Sequence, residues 1–279
     1  MIYKETFFFF NIVIKLYYFY LFKNFFEENK FNQNCFYIHE NQPWEKSLIY
    51  HWKNNNKGII FGVINSSVRF WDIRFNKSNI SPDFLLTNGE DSFNKILNFG
   101  YHKSEVKIVE SLRYEKLFKI SNSNFISKKE ILIILDYTNK SNKLLIEVLN
   151  KSKLIKNYKI IFKEHPLNRY KKLKTKFKFS NYKASNSSVQ YELVICTNRT
   201  TASVDYYLTG QNIAILLEPD FFNFSPLKGN KDCNFFYDYI ELDQILKNIS
   251  NKGRKNINSN FFMINPKYLN WKKILDNEK

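Results

Sequence analysis

A chain of 279 residues with 44% hydrophobic content is long enough for one large domain or two ordinary ones, and apolar enough to exclude wholesale disorder. The formal charge of +17 raises a polyanionic partner, but the lysines are spread among Asn, Ile, Phe and Tyr, the residue set of an AT-rich coding sequence. No RNA-binding signature, zinc-finger spacing or heptad run accompanies them, so the charge reads as compositional and no nucleic-acid partner is expected.

The chain opens on "FFFFNIVIKLYYFYLF", Phe7 to Phe22, almost wholly apolar with Lys15 in its middle. It is shorter than the roughly 20 residues a bilayer span needs, so residues 1–33 read as a buried or membrane-surface helical segment. From Asn34 onward, short apolar runs alternate with helical patterns, the signature of an α/β architecture. Strands are expected at Cys35–Glu40, Gly58–Ile64, Asp83–Gly89 and Val106–Ser111, with helices at Pro43–Asn54 and Asp91–Asn98. Pro43 suits a first helical turn, where a missing N–H costs nothing.

The polar stretch "SNSNFIS" from Ser121 to Ser127 reads as a domain boundary, leaving 34–124 and 125–279 as two α/β domains. Beyond it strands are expected at Glu130–Asp136, Tyr158–Lys163, near Phe177–Phe179, at Glu192–Asn198 and at Asn212–Glu218. Helices are expected at Asn142–Lys151, Thr201–Leu208 and Leu242–Asn251. Runs such as "ILIIL" lack strict alternation, as befits parallel strands covered on both faces. Two such halves suggest two open parallel sheets facing a cleft, with ligands held outside the carboxyl ends of the strands. GxGxxG and GxxxxGK[ST] are both absent, which argues against a standard dinucleotide oxidoreductase or P-loop nucleotidase. Cys35, Cys196 and Cys233 form no CxxC pair and no even set, pointing to a reducing cytoplasm.

Three stretches end strands of the second half: "LDYTNKS" (Leu135 to Ser141), "FKEHP" (Phe162 to Pro166) and "CTNRTTAS" (Cys196 to Ser203). In the third, Thr200 or Thr201 could cap the following helix, whose first-turn N–H groups would suit an anionic phosphate; plain capping is the competing reading. His165, held extended before Pro166, is either a satisfied loop residue or a donor to phosphate, with Lys163 adding charge beside it. In the first half, Glu40 ends a strand and is either a cleft-facing acid or a helix-start carboxylate. Asp91 reads as a helix cap or, with Glu90, as a paired acid. Asp72, Arg69 and Arg74 form either an ion cluster or a charged-ligand site. Trp44 and Trp71 are read as packing residues.

"KEHP" and "TNRTTASVDYYLTG" resemble the HP and Ser/Thr motifs of GT-B glycosyltransferases such as bacterial sialyl- and polysialyltransferases and the related CMP- or CDP-using polymer transferases. "ENQPWEKSLIYHW", "INSSVRFWDIRF", "LLTNGEDSFNKILNFGY" and "VESLRY" are similar, in order, to blocks of a bacterial surface-carbohydrate (O-antigen) biosynthesis family. The similarity runs from about Tyr37 to about Leu246. It implies a GT-B-like fold of two Rossmann-like parallel-sheet domains, with the N-terminal domain shortened. It further implies a metal-independent transferase without a cofactor, moving a sugar from a nucleotide donor, CMP-linked sugars included, to a lipopolysaccharide, capsule or lipid-linked acceptor. Carried over onto this chain, His165 holds the donor's phosphate with Thr200, Thr201 and Ser203 beside it; Lys163 adds charge next to His165, and Glu40, at its strand end, is the candidate base. The alternatives are a sugar-nucleotide epimerase of the same fold and a noncatalytic partner in a glycan-assembly complex. The expected location is cytoplasmic, compatible with peripheral contact at the inner face of the cell membrane.

Overall fold

The computed structural model describes residues 2–56, 58–115, 126–168, 174–183, 189–249 and 261–276. The chain divides into two compact units, Met1–Arg113 with Asn260–Lys279, and Tyr114–Ser259. Two of the expected boundaries are thereby corrected. The N-terminal segment is part of the first unit, because its helix packs on the next one. The C-terminal residues belong there too, because a buried carboxylate holds them to the first sheet. The polar stretch from Ser121 to Phe125, read as a boundary, lies outside the described residues.

In the first unit, α1 (Ile2–Glu28) precedes β1 (Cys35–Ile38), α2 (Pro43–Asn55), β2 (Ile60–Val63), β3 (Phe84–Thr87), α3 (Glu90–Asn98) and β4 (Val106–Ile108). The four strands are parallel in the order β1-β2-β3-β4. Residues Leu48, Ile49 and Trp52 lie on one stripe of α2 and are buried with Phe26, Tyr37 and Ile60. Phe26 of α1 meets the Trp52 ring edge-on at 5.6 Å, and Phe31 stacks on it at 6.0 Å. This aromatic seam docks α1. Among the described residues no helix is long and apolar enough to cross a membrane.

The opposite face of this sheet is closed from the far end of the chain. Phe61, Leu86 and Val109 pack with Ile274 of the last helix, Leu269–Asp276. Glu110, 2% exposed, accepts the backbone N–H groups of Asn270 and Trp271 at 3.0–3.2 Å, meeting the unpaired donors of that helix's first turn. Met263 adds main-chain bonds to Asn88 and Ser111. Sequence patterning had no signal for this return, since the partners are about 160 positions apart.

The second unit contains β5 (Ile126–Ile134), α4 (Asn139–Lys151), β6 (Lys159–Lys163), β7 (Phe179–Asn181), β8 (Val189–Thr197), α5 (Ala202–Leu208), β9 (Ile213–Leu216), β10 (Asn234–Phe236) and α6 (Tyr239–Ile249). The last helix of the chain is α7. All pairings are parallel, in the order β10-β9-β8-β5-β6-β7. Ile131, Leu132 and Ile133 are fully buried, so both faces of β5 are covered and the run reads apolar without alternation. On α4, Leu145, Ile146 and Leu149 pack against that sheet. The strand order places β6 and β7 on one side of β5, and β8 to β10 on the other. The direction in which successive strands are added therefore reverses at the β5/β8 junction, a topological switch point where parallel sheets open a crevice.

Gly89 allows the C-terminal return to seat. A Cβ there would stand 2.3 Å from the carbonyl oxygen of Phe261 and 2.8 Å from the Phe262 Cα, both main-chain atoms that cannot swing aside. Gly89→Ala is expected to loosen residues 261–276, lowering the melting temperature and exposing the C-terminal segment to limited proteolysis before the rest of the chain.

Candidate functional site

Asp136 stands two residues past the end of β5 at the switch point and is completely buried. Its main chain exchanges two hydrogen bonds with the Asn142 amide, at 2.7 and 2.8 Å. One carboxylate oxygen accepts the Thr138 N–H at 3.0 Å, and the other accepts the Thr197 hydroxyl from the end of β8 at 2.8 Å. Across the same edge, Ser141 donates to Glu218 at 2.7 Å, and Arg199 pairs with Glu218 at 3.1 Å. The Arg199 guanidinium lies over Phe221 at 4.5 Å and Phe224 at 5.6 Å, so its plane is oriented by rings as well as by charge. These bonds make the turns after β5, β8 and β9 one hydrogen-bonded rim.

Next to it, β6 ends at Lys163. Its ammonium donates to the Tyr206 hydroxyl at 3.1 Å and sits 4.9 Å from the Tyr182 ring and 5.1 Å from the Tyr206 ring. Burial, then Tyr182, push the Tyr206 hydroxyl up, so it stays neutral beside the cation. His165 is half-buried, its Nδ1 accepting the Leu167 N–H at 3.2 Å, with the Tyr137 ring 5.9 Å away. That bond leaves Nε2 as the N–H donor of the neutral ring. A pocket of about 400 Å³ is bounded by Phe162, Lys163, Glu164, His165, Asn181 and Tyr182.

The hydroxyl residues differ in what they have left to offer. Thr200 is buried and its Oγ1 accepts the Ala202 N–H at 3.3 Å. Ser203, 1% exposed, donates to the Thr200 carbonyl at 2.9 Å. Thr201 occupies the N-cap position of α5 with helical dihedrals and no side-chain cap bond, and it is exposed. Of the two threonines expected to cap this helix, Thr200 makes the bond to its first N–H, because Thr201, already in the helical region, cannot fold its side chain back to the first-turn N–H groups. β6 and β8 both neighbour β5, so the ends carrying His165 and Thr200 are two strand spacings apart, roughly 10 Å.

Glu40 lies in the first unit, exposed just past β1. Its backbone N–H and that of Asn41 donate to the Glu45 carboxylate at 2.8–3.2 Å, so Glu45 is the acid that serves the start of α2. Glu45 and His39 are both almost fully buried, 3.4 Å apart, and the Tyr37 hydroxyl lies 2.8 Å from His39 Nδ1. His39 Nε2 is enclosed without a hydrogen-bond partner. Burial, aided by the Lys46 charge, drives the His39 imidazole down to about 4. Burial raises Glu45 against the backbone N–H groups that lower it.

Asp91 pairs with Lys95 at 2.7 Å one helical turn away, and Gly89, not Asp91, holds the N-cap position of α3. Arg74 forms a bidentate pair with the buried Asp72 at 2.6 and 2.7 Å, the ion-cluster reading of that motif. Among the described residues no group of three or more His, Cys, Asp or Glu side chains is gathered for a metal ion.

The sequence reading passed over Arg199, Glu218, Asp136, Ser141 and Asn142, although Arg199 sits inside the quoted "CTNRTTAS" and Asp136 inside "LDYTNKS". The available signal was an acid directly after an apolar strand with a hydroxyl two residues on and an amide six residues on, the pattern of a self-closing turn.

No known protein family and no curated protein matches the chain. Solved structures do match. One of UDP-GlcNAc 2-epimerase from Methanocaldococcus jannaschii has a TM-score of 0.59 at 15% identity, covering 94% of this chain and 82% of that one. A second structure of that enzyme, in complex with UDP-GlcNAc and UDP, has a TM-score of 0.56 at 16% identity, covering 88% and 74%. The UDP-GlcNAc 2-epimerase from Neisseria meningitidis bound to UDP-GlcNAc has a TM-score of 0.51 at 8% identity, covering 95% and 80%.

His39 sets a pH dependence. Its folded value of about 4 lies below its ordinary 6.5, so between those limits the unfolded chain binds a proton that the folded chain refuses. Stability is therefore expected to fall by about 3 kcal/mol as pH drops from about 6.5 to about 4. Urea unfolding across that window should show the loss in the wild type and a reduced slope in His39→Gln. At these identities the likeness establishes the fold: a GT-B-like α/β protein of two parallel-sheet domains, with four and six strands.

Proposed function

We propose that this protein is an enzyme acting on a nucleotide sugar, and that it transfers the sugar to a cell-surface glycan or lipid-linked acceptor in the cytoplasm. The observation that carries the reading is the gathering of Lys163, His165, Arg199 and the Thr200–Thr201 turn along one sheet edge at and beside a switch point. Cations and N–H donors held by neighbouring rings and acids suit a diphosphate, whose charge grows as the bond to the sugar breaks. His165 donates through Nε2, Lys163 supplies a fixed charge, and Thr201 offers an uncommitted hydroxyl. Ser203, with its proton on the Thr200 carbonyl, orders the turn.

In the transfer, the acceptor oxygen forms its bond to the anomeric carbon while the carbon–oxygen bond to phosphate breaks. A base takes the acceptor proton, and the leaving diphosphate keeps the electron pair. Asp136 and Glu218 are both occupied by hydrogen bonds within the rim, which argues against either as that base. Glu40 is the proposed base, exposed and without a side-chain partner in the start of α2.

A second reading is epimerisation of the nucleotide sugar without an acceptor, favoured by the likeness to the two UDP-GlcNAc 2-epimerases. Calorimetric titration with UDP, CDP, CMP and UDP-GlcNAc tests what both readings share. One of these is expected to bind, and His165→Ala is expected to weaken it by about tenfold or more, the loss of one hydrogen bond to a charged group. No binding by any of them would remove both readings. Proton NMR of UDP-GlcNAc incubated with the protein separates them: the C2 epimer forming without acceptor establishes epimerisation. Sugar release only with acceptor, suppressed about a hundredfold or more in Glu40→Gln, establishes transfer.

A further inference from the structure

α1 is docked on α2 along one side of its second half, and over residues 12–21 most of its large apolar side chains are exposed. Phe22 and Phe26 turn inward to Phe31 and Trp52, while Phe19 meets Tyr50 and His51 of α2 at 6.0 and 4.6 Å. The side turned away carries Val13, Leu16, Tyr17, Tyr20 and Leu21, with Tyr17 62% and Tyr20 56% exposed. Positions 13, 17, 20 and 21 recur at helical spacing and form one continuous outer stripe. It ends where Asn24, Glu27 and Glu28 turn the helix polar. A stripe of large apolar side chains facing water marks an interaction surface.

Three features favour a lipid surface over a second copy of the chain. The stripe is rich in tyrosine, whose ring is apolar and whose hydroxyl is polar, the chemistry of a bilayer's headgroup boundary. Lys23, half-buried, borders the stripe and reaches headgroup phosphate while its stem stays apolar, whereas Lys15, exposed, stands on the opposite side in line with Phe19 and Phe22. The chain carries +17 in all, which draws it to an anionic layer and repels a like copy. No heptad seam favours a coiled pair.

We propose that the outer stripe of α1 seats in the headgroup region of an anionic phospholipid bilayer, with the helix lying parallel to the membrane plane. Lysine in the middle of the segment keeps it at the surface. This stands apart from the nucleotide-sugar reading, since α1 contributes no residue to that site.

The test is co-sedimentation of the full chain with vesicles of phosphatidylglycerol and phosphatidylcholine, and with vesicles of phosphatidylcholine alone. Binding is expected to the mixed vesicles, weaker to the neutral ones and falling with added salt. The double variant Tyr17→Asp, Leu21→Asp should lose at least about tenfold in partitioning while keeping its urea midpoint and nucleotide binding. Wild-type protein that stays in the supernatant with mixed vesicles overturns the proposal, and so does a folded variant that binds them equally well. A wild-type dimer in sedimentation velocity that the variant abolishes, without vesicle binding, would assign the stripe to a second copy and equally overturn it.

Discussion

Asp136 is the constraint on which the second unit turns. A carboxylate taken wholly out of water is costly unless its oxygens are met, and here the Thr138 N–H and the Thr197 hydroxyl meet them. Because those partners come from its own turn and from the end of β8, satisfying one buried charge also sets where two neighbouring strand ends lie. Asn142, tied to both main-chain groups of Asp136, sets the first turn of α4 on the same anchor. Ser141 then reaches Glu218 and through it Arg199, so the rim is a bonded chain of groups rather than a set of separate loops. A preorganised rim of this kind costs little reorganisation when a charged ligand arrives.

The first unit uses the same device for a different end. Glu110 is buried and is met by the N–H groups that open α7, so the chain's last helix closes the sheet face left bare by α1 and α2. Glu45 does likewise for the turn before α2, with His39 and Tyr37 packed beside it. These acids are what hold strand ends and helix starts together in this chain.

Two kinds of residue within one motif part company on burial. In "TNRTTAS", Thr200 and Ser203 close the turn on itself, Arg199 is clamped between Glu218 and two phenylalanines, and Thr201 faces solvent. A motif read as letters treats all of them as ligand groups. The hydrogen bonds divide them into those that build the turn and those left to act from it. The proposed role of His165 rests on the same distinction, since its Nε2 is left as a donor once Nδ1 accepts the Leu167 N–H, while Lys163 contributes charge beside the Tyr182 and Tyr206 rings.

The parallel α/β order was legible from local features: apolar runs without alternation, Pro43 at a helix start, polar turns between. So were the three strand ends that share one edge, because strand direction follows once every connection is a crossover. Strand limits moved by a few residues, as at β8, which begins at Val189 rather than near Glu192. Glu40 was read as the candidate acid because it ends the first strand, and only the fold shows that Glu45, inside the next helix, is the enclosed carboxylate. The return of α7 to the first sheet, the Asp136 rim and the Glu218–Arg199 clamp join residues 19 to about 160 positions apart. Periodicity and turn chemistry act over a few residues and determined the elements. Which acid is buried against which donor depends on contacts between distant elements, and only the tertiary structure decided it.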